Sequence, residues 1–155
     1  MACGSGRYLA DLMAKKRPQI STEAWIFPAT AIPRRTPRMP IQRQHTNERM
    51  SQIVVHNGTV YLAGQVGEDM SAGVEQQTRE TLAAIERLLE EAGTDKTRIL
   101  SVTIYLKDID ADFEGMNRVW DQWLPRGVAP ARATVEAKLC EPEILVEMSV
   151  VAALP

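Results

Sequence analysis

Two consecutive segments with the composition of β-strands begin just after residue 50. The runs 51–55 and 59–65 are rich in β-forming residues, and His56-Asn57-Gly58 separates them. Asn-Gly tolerates the positive φ angles that a tight hairpin turn requires. The pattern therefore predicts a β-hairpin at this point of the chain.

In two later segments the apolar residues recur with the period of a helix instead of that of a strand. Apolar residues recur at helical spacing from Val74 to Ala92, and Gly93 follows where a left-handed C-terminal cap is expected. Pro125 ends a second helical segment, whose stripe contains Phe113, Met116, Asn117, Trp120 and Trp123. We predict two amphipathic helices.

A strand is predicted between the two helices, because residues 99–106 alternate in polarity. Its apolar face carries Leu100, Val102, Ile104 and Leu106. Its opposite, mixed face carries Ile99, Ser101, Thr103 and Tyr105.

Two further strands, at about 131–139 and 145–152, are predicted to form a closing hairpin around a turn near Glu141-Pro142. In that register Glu147 lies opposite Glu136. At about 3.3 Å per residue, Glu147 is then roughly 13 Å from Arg132. A bulge, a different register or a neighbouring subunit is needed if both charges serve one ligand.

The predicted elements follow the order β-β-α-β-α-β-β, which is an α+β mixed sheet with both helices on one face. The helices cover one side of this sheet, and the other side carries residues such as Ile99 and Tyr105. Something else must cover the second face, and self-association of the chain is the simplest expectation.

Residues 1–45 differ in composition from the remaining chain, which we assign to one domain at 46–155. Five of the nine prolines and an excess of basic residues lie in this N-terminal part, so we expect irregular structure there. An upstream translation start or appended leader, an organellar transit peptide and a basic interaction arm all fit this composition.

Composition and charge narrow the classes of function. The chain has no long apolar run, no secretory signal pattern and two cysteines without metal-ligand spacing. We therefore expect a cytoplasmic protein, or one of an organellar matrix if residues 1–45 are a transit peptide. Residues 48–155 carry ten basic and eighteen acidic side chains, which argues against a nucleic-acid-binding core. Neither a membrane nor a nucleic acid is an expected partner.

Arg132 and Glu147 are charged residues in strands that otherwise look half or wholly buried. A buried charge without a partner is costly, and a guanidinium binds a carboxylate through two parallel hydrogen bonds. Composition favours a structural ion pair between them, but a site for an acidic ligand remains open on the residues alone.

Seven short segments occur in a fixed order between about Arg49 and Pro155. They are Gly64-Gln65-Val66, Gln77-Thr78-Arg79, Leu88-Leu89-Glu90-Glu91-Ala92-Gly93-Thr94, Tyr105-Leu106-Lys107-Asp108-Ile109, Met116-Asn117, Pro130-Ala131-Arg132 and Val146-Glu147-Met148. No single segment is decisive. The ordered set resembles the Rid (YjgF/YER-type, reactive intermediate deaminase) family.

The resemblance implies a chorismate-mutase-like α+β fold, assembled as a homotrimer with ligand clefts between neighbouring subunits. It implies hydrolysis of 2-aminoacrylate and related enamines or imines to 2-keto acids and ammonia, with no metal or organic cofactor. The implied partners are a small carboxylate-bearing substrate and further copies of the chain.

By the same resemblance, Arg132 binds the substrate carboxylate, Glu147 positions or activates the attacking water, and the backbone of Gly64 lines the cleft. The predicted catalytic residues are therefore Arg132 and Glu147. The predicted substrate-binding residues are Arg132, Gly64, Thr134, Tyr105 and Asn117.

The sequence departs from the family pattern at two positions. Thr134 stands where well-known deaminases of the family have cysteine, and Ala63 stands where a serine or threonine often precedes Gly-Gln. Both changes affect the identity of the substrate more than the class of reaction. Trp120 and Trp123 are interpreted as helix packing. Cys140, in an acidic stretch, is interpreted as unreactive.

Two other functions compete with the deaminase. The first is a non-catalytic trimeric sensor that binds 2-keto acids or related metabolites at Arg132. The second is an endoribonuclease or translation inhibitor, which the acidic body of the chain disfavours.

Overall fold

The structure is a computed structural model, and it describes residues 40–155. In chain order the elements are β1 (Gln42–Thr46), β2 (Ser51–His56), β3 (Thr59–Val66), α1 (Val74–Glu91), a short 3-10 turn (Lys96–Arg98), β4 (Ile99–Leu106), α2 (Ile109–Trp123), β5 (Ala131–Glu136) and β6 (Val146–Ala153). Except for its last residues, where β1 begins, the predicted irregular segment 1–45 lies outside the described residues.

The six strands form one mixed sheet in the order β1-β2-β3-β6-β4-β5. The pair β4 and β5 is parallel, and the other neighbouring strands are antiparallel. Two helices packed on a mixed sheet confirm the predicted α+β class. The predicted order of elements is also confirmed, with β1 as an additional strand at one edge.

The first hairpin and the first helix form where the pattern predicts them. Asn57 and Gly58 have φ angles of 49° and 74°, which allow β2 and β3 to pair through a two-residue turn. Gly93 has a φ angle of 82°, so the chain leaves α1 through the left-handed conformation that glycine adopts most readily.

The core lies between the sheet and the two helices. Alternate residues of the strands point into it, and apolar residues of both helices cover them. The buried set from the central strands and the helices includes Val102, Ile104, Leu106, Val146, Met148, Val150, Leu82, Ile85, Leu89, Met116, Val119 and Trp120. We call the sheet face that carries this core the helix face, and its opposite the open face.

The predicted hairpin between the last two strands is wrong. β4 lies between β5 and β6, and β5 ends at Glu136 instead of near residue 139. Glu147 lies opposite Tyr105 of β4 and Val66 of β3, not opposite Glu136. The alternation within a strand fixes which side chains share a face, but it does not identify the neighbouring strand.

The predicted faces of Ile99 and Leu100 are also wrong. Ile99 is buried, with 5% of its surface exposed, whereas Leu100 is 51% exposed. The register between β4 and β6 shifts between Ile99 and Ser101, and an irregularity of this kind reverses the faces of the residues before it. From Ser101 to Leu106 the predicted alternation is confirmed.

Within residues 40–155, neither helix has both the length and the apolar composition that a membrane span requires.

Candidate functional site

The predicted site residues fall into two groups on opposite faces of the sheet. The first group consists of Arg132, Thr134 and Asn117; together with Trp120, which the sequence predicts only as helix packing, we call it the arginine corner. The second, which we call the glutamate recess, consists of Glu147, Gly64 and Tyr105. Each group combines residues that are distant in the sequence and close in the fold.

Arg132 lies on the helix face of the edge strand β5. It pairs with Val102 of β4, whose side chain is in the core, and partners across a ladder point to the same face. Its Nη1 donates a hydrogen bond of 2.8 Å to Oδ1 of Asn117 on α2. Its Cζ lies 5.4 Å from the ring centroid of Trp120, one helical turn beyond Asn117. The guanidinium is therefore held by one helix and remains exposed.

Thr134 is the next residue of β5 on the same face, opposite the buried Ile104. Its hydroxyl oxygen is buried and has no hydrogen-bond partner among residues 40–155. A buried hydroxyl without a partner is costly. Thr134 therefore places a hydroxyl with unused hydrogen-bonding capacity beside Arg132.

Arg132 has no carboxylate within salt-bridge distance in the described part of the chain. The structural ion pair with Glu147 does not form within one chain, because the two side chains point to opposite faces. A guanidinium without an acidic partner can still accept the carboxylate of a ligand.

Glu147 lies on the open face of β6, between the buried Val146 and Met148. Its carboxylate occupies the space above Gly64 of β3. A Cβ atom built on Gly64 would lie 1.9 Å from Oε1 of Glu147. The missing side chain of Gly64 therefore makes room for the carboxylate, a role that differs from the predicted lining of a cleft.

An irregularity in β3 shapes the glutamate recess. The register with β6 shifts between Leu62 and Gln65, a segment that includes Gly64. The side chain of Gln65 donates hydrogen bonds of 3.1 Å to the carbonyl oxygens of Ala63 and Gly64 and one of 2.8 Å to Gln52. Gln65 thus satisfies carbonyls that the shifted register frees.

Tyr105 completes the glutamate recess from β4. It lies directly opposite Glu147 in the antiparallel ladder and opposite Val135 in the parallel one. Directly opposed residues have their Cβ atoms about 5 Å apart, so the half-buried Tyr105 is a neighbour of Glu147 on the open face.

The arginine corner and the glutamate recess are separated within the chain. Arg132 pairs with Val102 of β4, and Glu147 pairs with Tyr105 of the same strand. The two residues are therefore two strand spacings apart across the sheet and three residues apart along it. Strand spacing and rise place their Cα atoms roughly 14 Å apart. Together with the opposite faces, this separation prevents both side chains of one chain from reaching one small ligand.

A cleft of about 610 Å³ lies beyond the end of β5. Its lining includes Lys107, Glu136, Lys138, Glu141 and the exposed Cys140, but neither Arg132 nor Glu147. We regard the two residue groups as the candidate site, because they combine a cation, a carboxylate and an unpartnered hydroxyl. No cluster suited to a metal ion occurs among residues 40–155.

Sequence reasoning missed the contacts of Trp120 and Gln65. Trp120 packs in the core, 6% exposed, as predicted, but it also contacts Arg132. An aromatic residue in an apolar stripe gives no sign of such a second contact. For Gln65, a signal existed, since a glycine within a strand often marks a bulge, and backbone carbonyls that a bulge leaves unpaired need hydrogen-bond donors.

Comparison with known proteins identifies the family. The family model described as Endoribonuclease L-PSP matches residues 41–154. YoaB of Escherichia coli, a RutC family protein, is 44% identical over 116 residues, which cover 75% of this chain and 100% of YoaB.

Solved structures show the same relationship. NMB1025 from Neisseria meningitidis, a member of the YjgF protein family, is 42% identical with a TM-score of 0.73, over 76% of this chain and 98% of NMB1025. YyfA from Yersinia pestis, a protein of unknown function of the Rid protein family, is 30% identical with a TM-score of 0.63, over 70% of this chain and 90% of YyfA. This chain therefore belongs to the YjgF/RutC family, the Rid family that its seven sequence segments resemble.

Proposed function

We propose that the protein hydrolyses small imines and enamines that carry a carboxylate, and releases a 2-keto acid and ammonia. The observation that carries this proposal is the arginine corner. Arg132 is held by Asn117 and Trp120, carries no acidic partner among the described residues and lies beside the unpartnered hydroxyl of Thr134. This arrangement suits a small carboxylate.

The proposal includes a homotrimer with a cleft between each pair of neighbours. The open face exposes large apolar side chains, among them Tyr61 at 47% and Val135 at 42%, and such patches mark interaction surfaces. A closed ring of three chains covers this face in every copy. It also allows Arg132 of one chain to meet Glu147 of the next, which a single chain does not achieve.

The proposed reaction starts when Arg132 binds the substrate carboxylate and places the imine carbon near Glu147. The enamine tautomerises to the imine, and protonation of its nitrogen makes the carbon electrophilic. Glu147 removes a proton from a water molecule as the water oxygen bonds to this carbon, which gives a carbinolamine. Glu147 passes this proton to the nitrogen, the carbon–nitrogen bond breaks and releases ammonia, and the protonated carbonyl loses its proton to water or to the ammonia, which leaves the keto acid and ammonium.

This reaction requires only a small acceleration by the protein. Imines hydrolyse in water without a catalyst, so positioning of the substrate and one general base suffice. The departures at Thr134 and Ala63 leave Arg132 and Glu147 in place. They change the surroundings of the substrate and so bear on which imine fits.

The test is release of keto acid and ammonia from 2-aminoacrylate, or from an imino acid generated in situ by an amino-acid oxidase. Arg132→Ala removes a charge-assisted contact worth on the order of 2–4 kcal/mol, so we expect the rate above background to fall by roughly two to three decades. Arg132→Lys keeps the charge without the planar fork and should retain part of the activity. A wild-type rate equal to the uncatalysed rate for several imino acids contradicts the proposal.

A second candidate function is the binding of 2-keto acids without turnover. One observation favours it: a single chain builds the complete arginine corner but keeps Glu147 away from it. Glu147→Gln distinguishes the two functions, because it abolishes hydrolysis and leaves carboxylate binding intact. A sensor shows binding in both proteins and hydrolysis in neither.

Ribonuclease activity has less support, since residues 48–155 carry an excess of acidic side chains. A cytoplasmic location remains part of the proposal. Cys140 is an exposed free thiol, which a reducing compartment preserves.

A further inference from the structure

Trp120 has two kinds of neighbour. One side of the residue packs in the core with Met116 and Val119 of α2, and its ring centroid is 5.5 Å from that of Trp123. Another part of the ring lies beneath the exposed guanidinium of Arg132, with Cζ 5.4 Å from the centroid. A cation within about 6 Å of an indole centroid is attracted by the negative face of the ring.

The contact limits how Arg132 can move. An exposed arginine side chain samples many rotamers, and binding a ligand requires that one be selected. Here the indole restrains the guanidinium from below, and Asn117 accepts a hydrogen bond from Nη1. Because Asn117 and Trp120 are one turn apart on α2, a single rigid helix provides both restraints.

The guanidinium retains donors that Asn117 does not use. Nε and Nη2 have no hydrogen-bond partner within residues 40–155. Two parallel donors of a planar guanidinium match the two oxygens of a carboxylate. Asn117 and Trp120 therefore restrain a guanidinium whose two free donors can bind the carboxylate of a ligand.

We propose that Trp120 is a positioning residue that holds the Arg132 guanidinium ready for a carboxylate before the ligand arrives. The inference rests on the proposed role of Arg132 in binding the substrate carboxylate. It assigns Trp120 a role besides filling the core. It also predicts that ligand affinity depends on the aromatic character of residue 120, not merely on its volume.

The first measurement needs no ligand. In a ¹⁵N-labelled full chain, the ring current of Trp120 shifts the Nε–H resonance of Arg132, which Arg132→Lys identifies by its loss. We expect Trp120→Leu to return this resonance to the position of a free arginine and Trp120→Phe to keep part of the shift. Trp123→Phe is the matched control, because Trp123 is the neighbouring tryptophan of α2 and carries Lys96 over its ring instead of Arg132. It should leave the resonance in place.

The second measurement is the affinity for pyruvate by titration calorimetry, as a probe that is independent of turnover. We expect Kd to rise about threefold in Trp120→Phe and about tenfold in Trp120→Leu, because the attraction of the cation by the ring weakens and then disappears. Trp123→Phe should bind as the wild type does. Trp120→Phe keeps an aromatic core residue, so it reports on the contact even if Trp120→Leu folds poorly.

The outcomes separate this inference from the proposed function. An Arg132 resonance that is the same in the wild type and in Trp120→Phe, or equal pyruvate affinity in those two proteins, overturns the positioning role. Pyruvate binding that follows the expected order, without hydrolysis of any imine, supports the positioning role and contradicts the deaminase. Failure of the wild type to bind pyruvate or any other 2-keto acid overturns the positioning role, and it contradicts the deaminase as well only if no imine is hydrolysed.

Discussion

The arginine corner and the glutamate recess are built in different ways. In the corner, a long side chain on an edge strand is restrained by the polar and aromatic side chains of one helix. In the recess, a carboxylate in the middle of the sheet fills the space left by a missing side chain at Gly64. The corner is complete within one chain, whereas in the proposed trimer the recess faces a second chain.

The sheet topology explains why the two regions remain separate. β4 pairs with both β5 and β6. The β4 residues that lie opposite Arg132 and Glu147 are three residues apart, which is an odd number. An odd offset in a strand places side chains on opposite faces. The fold therefore divides the proposed chemistry into a binding half and a catalytic half, which only the proposed trimer brings together.

The largest expected effect comes from mixing two inactive variants. Arg132→Ala should lose roughly two to three decades of activity, and Glu147→Gln should lose about two decades or more with its general base. Refolded together in equal amounts, they should recover about a quarter of the wild-type activity, because a cleft in a cyclic trimer takes one residue from each neighbour at random. Keto-acid release measures the recovery.

The control for this experiment mixes Arg132→Ala with the double variant Arg132→Ala/Glu147→Gln, which cannot form an intact cleft. This mixture should remain inactive. If the first mixture also stays at the level of its parents, Arg132 and Glu147 do not act across neighbouring chains, and the division into two halves is wrong.

The next effect is on stability and concerns the chain segment that leads into the glutamate recess. Gln77 is 1% exposed. It donates to the carbonyls of Met70, Ala72 and Glu143, and it accepts a hydrogen bond from the backbone N–H of Leu145. Gln77→Ala leaves these buried groups without partners and should lower the free energy of unfolding by about 3 kcal/mol, as measured in urea.

A matched control is Gln76→Ala, since Gln76 is exposed on the same helix and bonds only the side chain of Glu80. It should change stability by about 0.5 kcal/mol or less. Hydrogen exchange sharpens the comparison: Gln77→Ala should accelerate exchange at Leu145 and the start of β6 more than at β5. Equal acceleration at both strands contradicts a local role for Gln77.

A smaller effect is expected at the recess itself. In Gly64→Ala the new methyl group collides with the end of a flexible side chain, Glu147, so the carboxylate moves while the fold persists. Misplacement of a catalytic group reduces the rate, here by about tenfold, and pyruvate binding at the corner should remain within about twofold of the wild type. Gly73→Ala is the control, because a Cβ atom there meets nothing within 4 Å. A loss of binding equal to the loss of turnover contradicts the separation.

Much of this organisation follows from the sequence, because strand and helix periods are local properties. The turn at Asn57-Gly58, the cap at Gly93 and the buried side of Val102 and Ile104 all result from neighbouring residues alone. β1 was not predicted, since four of its five residues are exposed and its polarity does not alternate.

The division of the site could not be predicted, because it depends on which strands are neighbours. Arg132 and Glu147 lie on strands that follow each other in the chain, and a hairpin is the usual outcome for such a pair. The pairing of β5 with β4 is parallel, and α2 forms the crossover connection that a parallel pair requires. The contact of Trp120 with Arg132 depends on the same arrangement, so neither residue alone reveals it.

The smallest effect concerns α2, the helix that supports the arginine corner. The pKa of Asp112 is raised above its ordinary value of 3.8, first because burial disfavours its charged form and second because Asp108 is near. A raised pKa in the folded state adds stability below the pKa of the unfolded chain, and this contribution is lost as the pH rises through the folded value.

Asp112→Asn removes the cost of burying this charge. The stability of the variant relative to the wild type should therefore improve as the pH rises from below 3.8 to neutrality. The gain in unfolding free energy should be about 0.5 kcal/mol or less, because the group is partly solvated. A gain that is the same at acidic and neutral pH would mean that the effect does not come from the charge of Asp112.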